Sequence, residues 1–339
     1  MKILVTGSAG FIGCEVALRL LADGHEVIGI DNLNPYYDVS LKYARIARLT
    51  PNKNYIHEHI ELADRAQVDQ LFDKHKPERV VHLAAQAGVR YAAENPHIYV
   101  NSNIVGFLHV IENCRRFQVG HLVYASTSSV YGSNQTMPFT ENQPCDHPLT
   151  LYAASKKANE MMAHAYAHLF NIPCTGLRFF TVYGPWGRPD MALFKFARAI
   201  LTNKPIELYN YGQHKRSFTF ISDVVEGIVR VLAQPPGCMQ TAENMATPGC
   251  DSAVGPYKLY NIGNAESVPL LDYVEQLELA LGRKAERVLL PLQAGDVQAS
   301  EASVTRLFEA VGYQPQVSVA IGVARFVEWF KAHPQFSGL

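Results

Sequence analysis

Apolar positions set the rhythm of this chain. In its first half, short runs rich in β-branched residues alternate with stretches whose apolar residues recur every three or four positions. Residues 2–6, 26–30, 55–57, 79–83, 122–126 and 174–178 read as strands, because each run is short and apolar on both faces. Helical spacing follows at 11–22, 39–49, 64–74, 98–117 and 151–170. Strands that bury both faces and are separated by helices imply a parallel sheet covered on each side. The pattern therefore predicts an α/β, doubly wound, Rossmann-type fold, with ligands beyond the carboxyl ends of the strands.

After about residue 180 the rhythm changes. The stretch 183–215 is rich in Gly, Pro and aromatics, and 217–221 and 258–262 look like short strands. Residues 235–256 are turn-forming and weakly apolar, which reads as a surface loop. Helical spacing returns at 269–281 and 317–332. We expect a large domain from 1–180 and about 216–265, and a smaller, discontinuous C-terminal substrate domain from 181–215 and 266–339. No internal repeat is visible.

Charge narrows the partners. Lys and Arg total 30 against 31 Asp and Glu, a net charge of −1, so no basic field invites nucleic acid or an anionic membrane. Any phosphate must then be met by local groups. Six cysteines at 14, 114, 145, 174, 238 and 250 are scattered singly, the pattern of reduced thiols and not of a disulfide framework or metal site. Gly7, Gly10 and Gly13 break the apolar N-terminal run and Glu15, Arg19 and Asp23 follow it, unlike a signal peptide. No window approaches the ~20 apolar residues of a membrane span. A soluble cytoplasmic protein is expected.

Two motifs carry chemistry. The stretch Val5-Thr-Gly-Ser-Ala-Gly-Phe-Ile-Gly13 joins the first strand to the first helix. Gly7 permits the tight turn, Gly10 admits a pyrophosphate to the backbone, and Gly13 lets helix and sheet approach. The helix start then offers N–H groups to the anion. Asp31 ends the next strand, 18 residues beyond Gly13, where a carboxylate can take both ribose hydroxyls and repel a 2′-phosphate, favouring NAD over NADP. A plain loop with a surface aspartate is the competing reading. Further on, Tyr152 and Lys156 are spaced to share one helix face. A phenol is a poor base near neutrality, and a nearby ammonium favours its phenolate. The hydroxyl cluster Ser126-Thr-Ser-Ser129 follows a strand, so it should lie at the sheet's carboxyl edge, within reach of a reacting carbinol.

Glycine turn, hydroxyl cluster and Tyr-x-x-x-Lys together resemble the extended short-chain dehydrogenase/reductase family. His82-Leu-Ala-Ala85, Asn103-Ile-Val-Gly106, Leu177-Arg-Phe-Phe180, Tyr183-Gly-Pro185 and Tyr260-Asn-Ile-Gly263 match its landmarks over nearly the whole chain. The resemblance implies a catalytic triad of Thr127, Tyr152 and Lys156, with Lys156 also reaching the nicotinamide ribose. It implies an NAD site from Gly7, Gly10, Phe11, Ile12, Gly13, Asp31, Asn32, Glu61, Leu62, Leu83, Ala84, Ala85, Gln86 and Phe180. Glu61 stands where the family usually has an aspartate near the adenine. The larger domain would then hold NAD, and the smaller a UDP-sugar.

Within that family, 4,6-dehydratases carry an Asp-Glu pair, and UDP-glucuronate decarboxylases a Glu, where this chain has Ser128 and Ser129. With those acids missing, what remains is epimerisation at C4. Asp31-Asn-Leu-Asn-Pro-Tyr-Tyr-Asp38, Gln86-Ala-Gly-Val-Arg90 and Thr181-Val-Tyr-Gly-Pro-Trp-Gly-Arg-Pro-Asp-Met191 are similar to UDP-glucuronate 4-epimerases. Thr181 and Gln293 stand where UDP-glucose 4-epimerases usually have Asn and Arg. A 4-keto uronate loses CO₂ unless its carboxylate is held out of alignment with the carbonyl. Arg188 and Thr181 are candidates for that hold, the guanidinium fork suiting a planar carboxylate. A diphosphate contact or a surface position is the alternative for Arg188. Arg216 resembles the family's diphosphate arginine and Asp296 the acid that takes the uridine ribose; Arg90 could reach sugar or phosphate. Neutral UDP-hexose or UDP-pentose 4-epimerases remain the alternative, with a decarboxylase behind them. His164 and His168 share a helix face but read as surface residues, and no metal is expected. Apolar stripes at 98–117 and 151–170 resemble the helices through which this family forms homodimers.

Overall fold

A computed structural model describes residues 1–237, 251, 254–293 and 295–337. The expected strands form as β1 (Lys2–Thr6), β2 (Glu26–Asp31), β3 (Tyr55–His59), β4 (Arg79–His82), β5 (Leu122–Thr127) and β6 (Cys174–Phe179). Between them lie helices α1 (Phe11–Ala22), α2 (Val39–Leu49) and α3 (Arg65–His75), then two single turns, α4 (Tyr91–Glu94) and α5 (Pro96–Tyr99). Helices α6 (Gly106–Arg116) and α7 (Leu151–Phe170) complete this half. Short strands β7 (Thr181–Tyr183), β8 (Ile206–Leu208), β9 (Lys215–Arg216) and β10 (Phe218–Phe220) follow, then β11 (Tyr257–Ile262), β12 (Val268–Pro269), β13 (Arg287–Leu289) and β14 (Ala299–Ser300).

Seven strands make one parallel sheet in the order β11-β6-β5-β4-β1-β2-β3. Side-chain alternation splits the core in two. Ile3, Val5, Val81, Val123 and Leu177 pack with α1 and α2 on one face, whereas Leu4, Ile28, Val80 and Leu122 pack with α3, α6 and α7 on the other. The sheet is thus doubly wound, and its strand order reverses between β1 and β4, where a crevice opens. The C-terminal region adds the sheets β10-β7, β12-β9-β14 and β13-β8, with helices Leu270–Leu281, Thr305–Val311 and Val319–Ala332.

Three expectations are corrected. The continuous helix foreseen at 98–117 is interrupted, with Val100–Val105 forming a wide π-helical turn before α6. Fully buried Asn103 accounts for the break: its Oδ1 accepts the Gln86 N–H at 2.8 Å, and its Nδ2 donates to the Gln86 carbonyl and to Ser155 Oγ, both at 3.0 Å. The irregular stretch 183–215 contains helix α8 (Ala192–Leu201). The strand foreseen at 217–221 stops at Phe220, where helix α9 (Ile221–Ala233) begins and packs on α1. Its Val and Ile content masks a helical stripe, because propensity yields to tertiary burial. Most of the loop foreseen at 235–256 lies outside the described residues, as do Cys238 and Cys250.

Candidate active site

The glycine turn folds as its spacing requires. Gly7 has φ +73°, and a Cβ there would lie 2.9 Å from the Ala84 nitrogen. At Gly13 a Cβ would lie 2.1 Å from the Gly7 carbonyl oxygen, so only glycine allows α1 to start against the turn. Gly10 caps α1 without any side-chain hydrogen bond, which leaves the first N–H groups of a twelve-residue helix facing the crevice. Thr6 Oγ1 accepts from the N–H of Leu83 at 3.1 Å and of Ala84 at 3.0 Å, fixing the floor between β1 and β4. An uncapped helix start above a cradle with no room for side chains fits the diphosphate of a dinucleotide.

Asp31 is buried, and its Oδ1 accepts from Leu33 N–H at 2.8 Å and Lys42 Nζ at 3.3 Å. That leaves Oδ2 for ribose hydroxyls. Glu61 takes the Asn32 amide at 2.8 Å and the Ala63 N–H at 3.0 Å, so the two residues brace each other at the same rim.

The hydroxyl cluster leaves β5 at its carboxyl end, where Thr127 Oγ1 donates to Ser129 Oγ at 3.2 Å. Tyr152 enters from the first turn of α7, capped by Thr150. Burial raises the Tyr152 phenol above its ordinary pKa, opposed by hydrogen bonding with Thr127 and the charge of Arg188. Lys156 follows one turn later on the same helix. Its Nζ donates to the Ala125 carbonyl at 2.9 Å, and burial lowers its pKa to about 8. Helix α7 is clamped from below by a buried ion pair, Arg178 Nε to Glu160 Oε1 at 2.8 Å and Nη2 to Oε2 at 2.9 Å, with Ser126 Oγ donating to the same Oε1.

Every candidate residue named from the sequence reaches the wall of one continuous cavity of about 1080 Å³. Ser128, Ser129, Thr181 and Arg188 line the same cavity as Tyr152, and the Arg188 charge acts on the Tyr152 phenol. Arg216 spans from β9 to the Val297 carbonyl at 2.6 Å and the Gln298 carbonyl at 3.0 Å. Arg90 and Asp296, both on the cavity wall, pair with each other at 3.1 Å. His164 and His168 are engaged apart, against the Tyr257 ring and the Val254 carbonyl. Among the described residues no cluster of three or more His, Cys, Asp or Glu could hold a metal.

Sequence reading missed Lys42, Tyr36 and Asp190, which also line the cavity, and Arg45 behind it. Fully buried Arg45 donates to the carbonyls of Ala9, Trp186 and Gly187, tying the glycine turn to the loop that carries Arg188. A periodic basic face on α2 (Lys42, Arg45, Arg48) was the available signal.

Residues 3–240 match the NAD dependent epimerase/dehydratase family model. A probable UDP-glucuronate 4-epimerase of Rhizobium meliloti is 48% identical, covering 97% of each chain. The crystal structure of UDP-glucuronic acid 4-epimerase from Bacillus cereus, in complex with UDP-glucuronic acid and NAD, superposes with a TM-score of 0.86 at 30% identity, covering 98% of this chain and 99% of that one. A UDP-glucose 4-epimerase from Thermotoga maritima, with UDP-glucose, follows at 0.85 and 28% identity, with the same coverage. The fold is shared by enzymes of both sugars, so the sugar must be argued from the site. The match over most of the chain, on a doubly wound sheet whose crevice carries the glycine turn and the Tyr–Lys helix, places this protein in the NAD dependent epimerase/dehydratase family.

Proposed function

We propose that the chain is an NAD-dependent isomerase, a UDP-sugar 4-epimerase whose substrate is UDP-glucuronate and whose product is UDP-galacturonate. The observation that carries the sugar assignment is Arg188, whose charge acts on the Tyr152 phenol and which lines the same cavity as Thr181, Ser128 and Ser129. A guanidinium fork in a cavity also lined by three hydroxyls, with serines and no acid directly after Thr127, suits a sugar carboxylate.

Residues 1–180 and about 216–265 hold the cofactor in this reading, and 181–215 with 266–339 hold the UDP-sugar. When bound, NAD supplies a reversible hydride acceptor for C4 and places a positive ring near the phenol. Tyr152 accepts the O4 proton and later returns it, and Thr127 orients that oxygen. Lys156 holds the ribose beside Tyr152 and keeps a positive charge under the site. Arg188 holds the carboxylate of the docked 4-keto sugar out of line with its carbonyl before and after the turn, and Arg216 and Asp296 hold the diphosphate and uridine as the sugar turns. Replacing Ser128 and Ser129 by acids, the family's route to water or CO₂ loss, would remove this outcome.

The same reading makes the enzyme a homodimer through α6 and α7, supported by exposed Leu108, Met161, Leu169 and Phe170 on those helices. It also places the enzyme in the cytoplasm, which agrees with the free thiols of Cys14, Cys114, Cys145 and Cys174. Among the described residues no helix is long and apolar enough to cross a membrane.

Purified protein incubated with UDP-glucuronate and followed by NMR should give UDP-galacturonate. UDP-pentose with CO₂ as the only product would refute epimerisation. Fast conversion of UDP-glucose beside an inert UDP-glucuronate would refute the uronate assignment.

A further inference from the structure

Arg188 does not face the cavity alone. Its Nε donates to Oδ1 of Asp190 at 3.0 Å and its Nη2 donates to Oδ2. The Tyr36 hydroxyl donates to that same Oδ2 at 3.2 Å, and the Tyr36 ring lies 5.9 Å from the guanidinium. All three side chains line the cavity that contains Tyr152. Arg188 and Asp190 are 23% and 25% exposed, so neither is sealed away from an incoming ligand.

A guanidinium offers five N–H donors in a rigid fork. Asp190 takes one edge of that fork, Nε with Nη2. A second carboxylate must come to the Nη1 end, where it meets a cation already neutralised and an anion close by. Like charges at one cation oppose each other, so Asp190 weakens any hold on a charged sugar. Yet it also keeps Arg188 paired while no sugar is bound, sparing a half-buried unpaired cation. The stem of the loop is fixed independently, because Arg45 holds the carbonyls of Trp186 and Gly187. Exchange of partners at Arg188 therefore needs side-chain movement only.

Epimerisation makes use of such an exchange. A half-turn of the keto sugar about its diphosphate carries the ring carboxylate away from its first position, and a cation that held it too tightly would stop the turn. Resting on the reading of Arg188 as the carboxylate's partner, we propose that Asp190 shares Arg188 with the sugar carboxylate, taking the guanidinium back while the sugar turns and so tempering affinity for charged sugars in favour of turnover.

Asn is nearly isosteric with Asp and keeps an oxygen for the Arg188 fork while removing the charge. The test compares NAD-loaded wild type with Asp190→Asn, Asp190→Glu and Arg188→Gln. Calorimetry measures binding of UDP, UDP-glucose and UDP-glucuronate, and NMR measures turnover of UDP-glucuronate. Asp190→Asn should bind UDP-glucuronate about tenfold more tightly, leave UDP and UDP-glucose within about twofold, and turn over several-fold more slowly. Asp190→Glu, which keeps the charge, should restore wild-type turnover and affinity in large part. Asp190→Asn with unchanged or weaker UDP-glucuronate binding, with equal tightening of all three ligands, or with undiminished kcat would overturn the proposal. Loss of charged-sugar preference in Arg188→Gln beside any of those results would sink the role of Asp190 alone. An unchanged preference in Arg188→Gln would sink the carboxylate reading beneath it.

Discussion

Tyr152 sits where burial holds its phenol above the ordinary range, and only a hydroxyl and a neighbouring cation oppose that effect. Such a group is protonated at rest and needs the assembled site to act as a base. Tyr152→Phe should therefore retain UDP-sugar binding and lose about 10²–10⁴ in kcat, measured by NMR turnover beside calorimetry. His82 titrates in the opposite sense. It is fully buried beside Thr6 Oγ1, and its pKa falls to about 3 from 6.5. A histidine held neutral when folded takes up its proton only on unfolding, so stability drops as pH falls from about 6.5 toward 3. Urea unfolding at pH 7 and pH 5 should show this loss, and His82→Asn should flatten it. At this scale, the placement of Gly7 and Asp31 on one β-α-β unit, and of Tyr152 and Lys156 on one helix, was legible because local spacing carries that geometry. Asp190 and Arg45 were not, because Arg45 finds its partners 141 residues away at Trp186 and Asp190 finds Tyr36 154 residues away.

Among the elements, α7 is held from two sides. Asn103 in the π-helical turn donates to Ser155, Asn159 donates back to the Asn103 carbonyl at 2.7 Å, and Glu160 pairs with Arg178. Both contacts fix the helix that presents Tyr152 and Lys156. Removing one partner of a buried ion pair leaves the other uncompensated, so Glu160→Gln should cost roughly 3–5 kcal/mol in urea unfolding. Asn103→Leu should lose the wide turn and lower kcat more than it raises KM, since it frees the start of α7 and not the UDP contacts. The helices at 11–22, 39–49 and 151–170 were readable to the residue because each has a single apolar stripe. The break inside 98–117 was not, since a buried asparagine looks the same in a sequence whether it faces water or a backbone amide.

For the molecule as a whole, the cavity runs between the carboxyl edge of the sheet and the short sheets of the C-terminal region. Arg90 and Asp296 pair on its wall, but Arg90 is half exposed, and an exposed pair contributes about 0–1 kcal/mol. Arg90→Ala should thus barely change the melting temperature, whereas Asp296→Ala, if it loses the ribose contact proposed above, should raise KM for a UDP-sugar about tenfold or more. Sheet order was predictable in kind from alternation alone, yet the seventh strand was visible only as an isolated apolar run. That strand has a consequence during synthesis. Strand β6 pairs with β11 residue by residue, Cys174 with Tyr257 through Phe179 with Ile262, so its outer edge has no neighbour until about 80 further residues have left the ribosome. At about 5–20 residues per second this interval is roughly 4–16 s. For that time a short, apolar, unpaired edge is open to other nascent chains. Ribosome-arrested chains ending near residue 235 should aggregate or bind a chaperone, and chains ending beyond residue 300 should not.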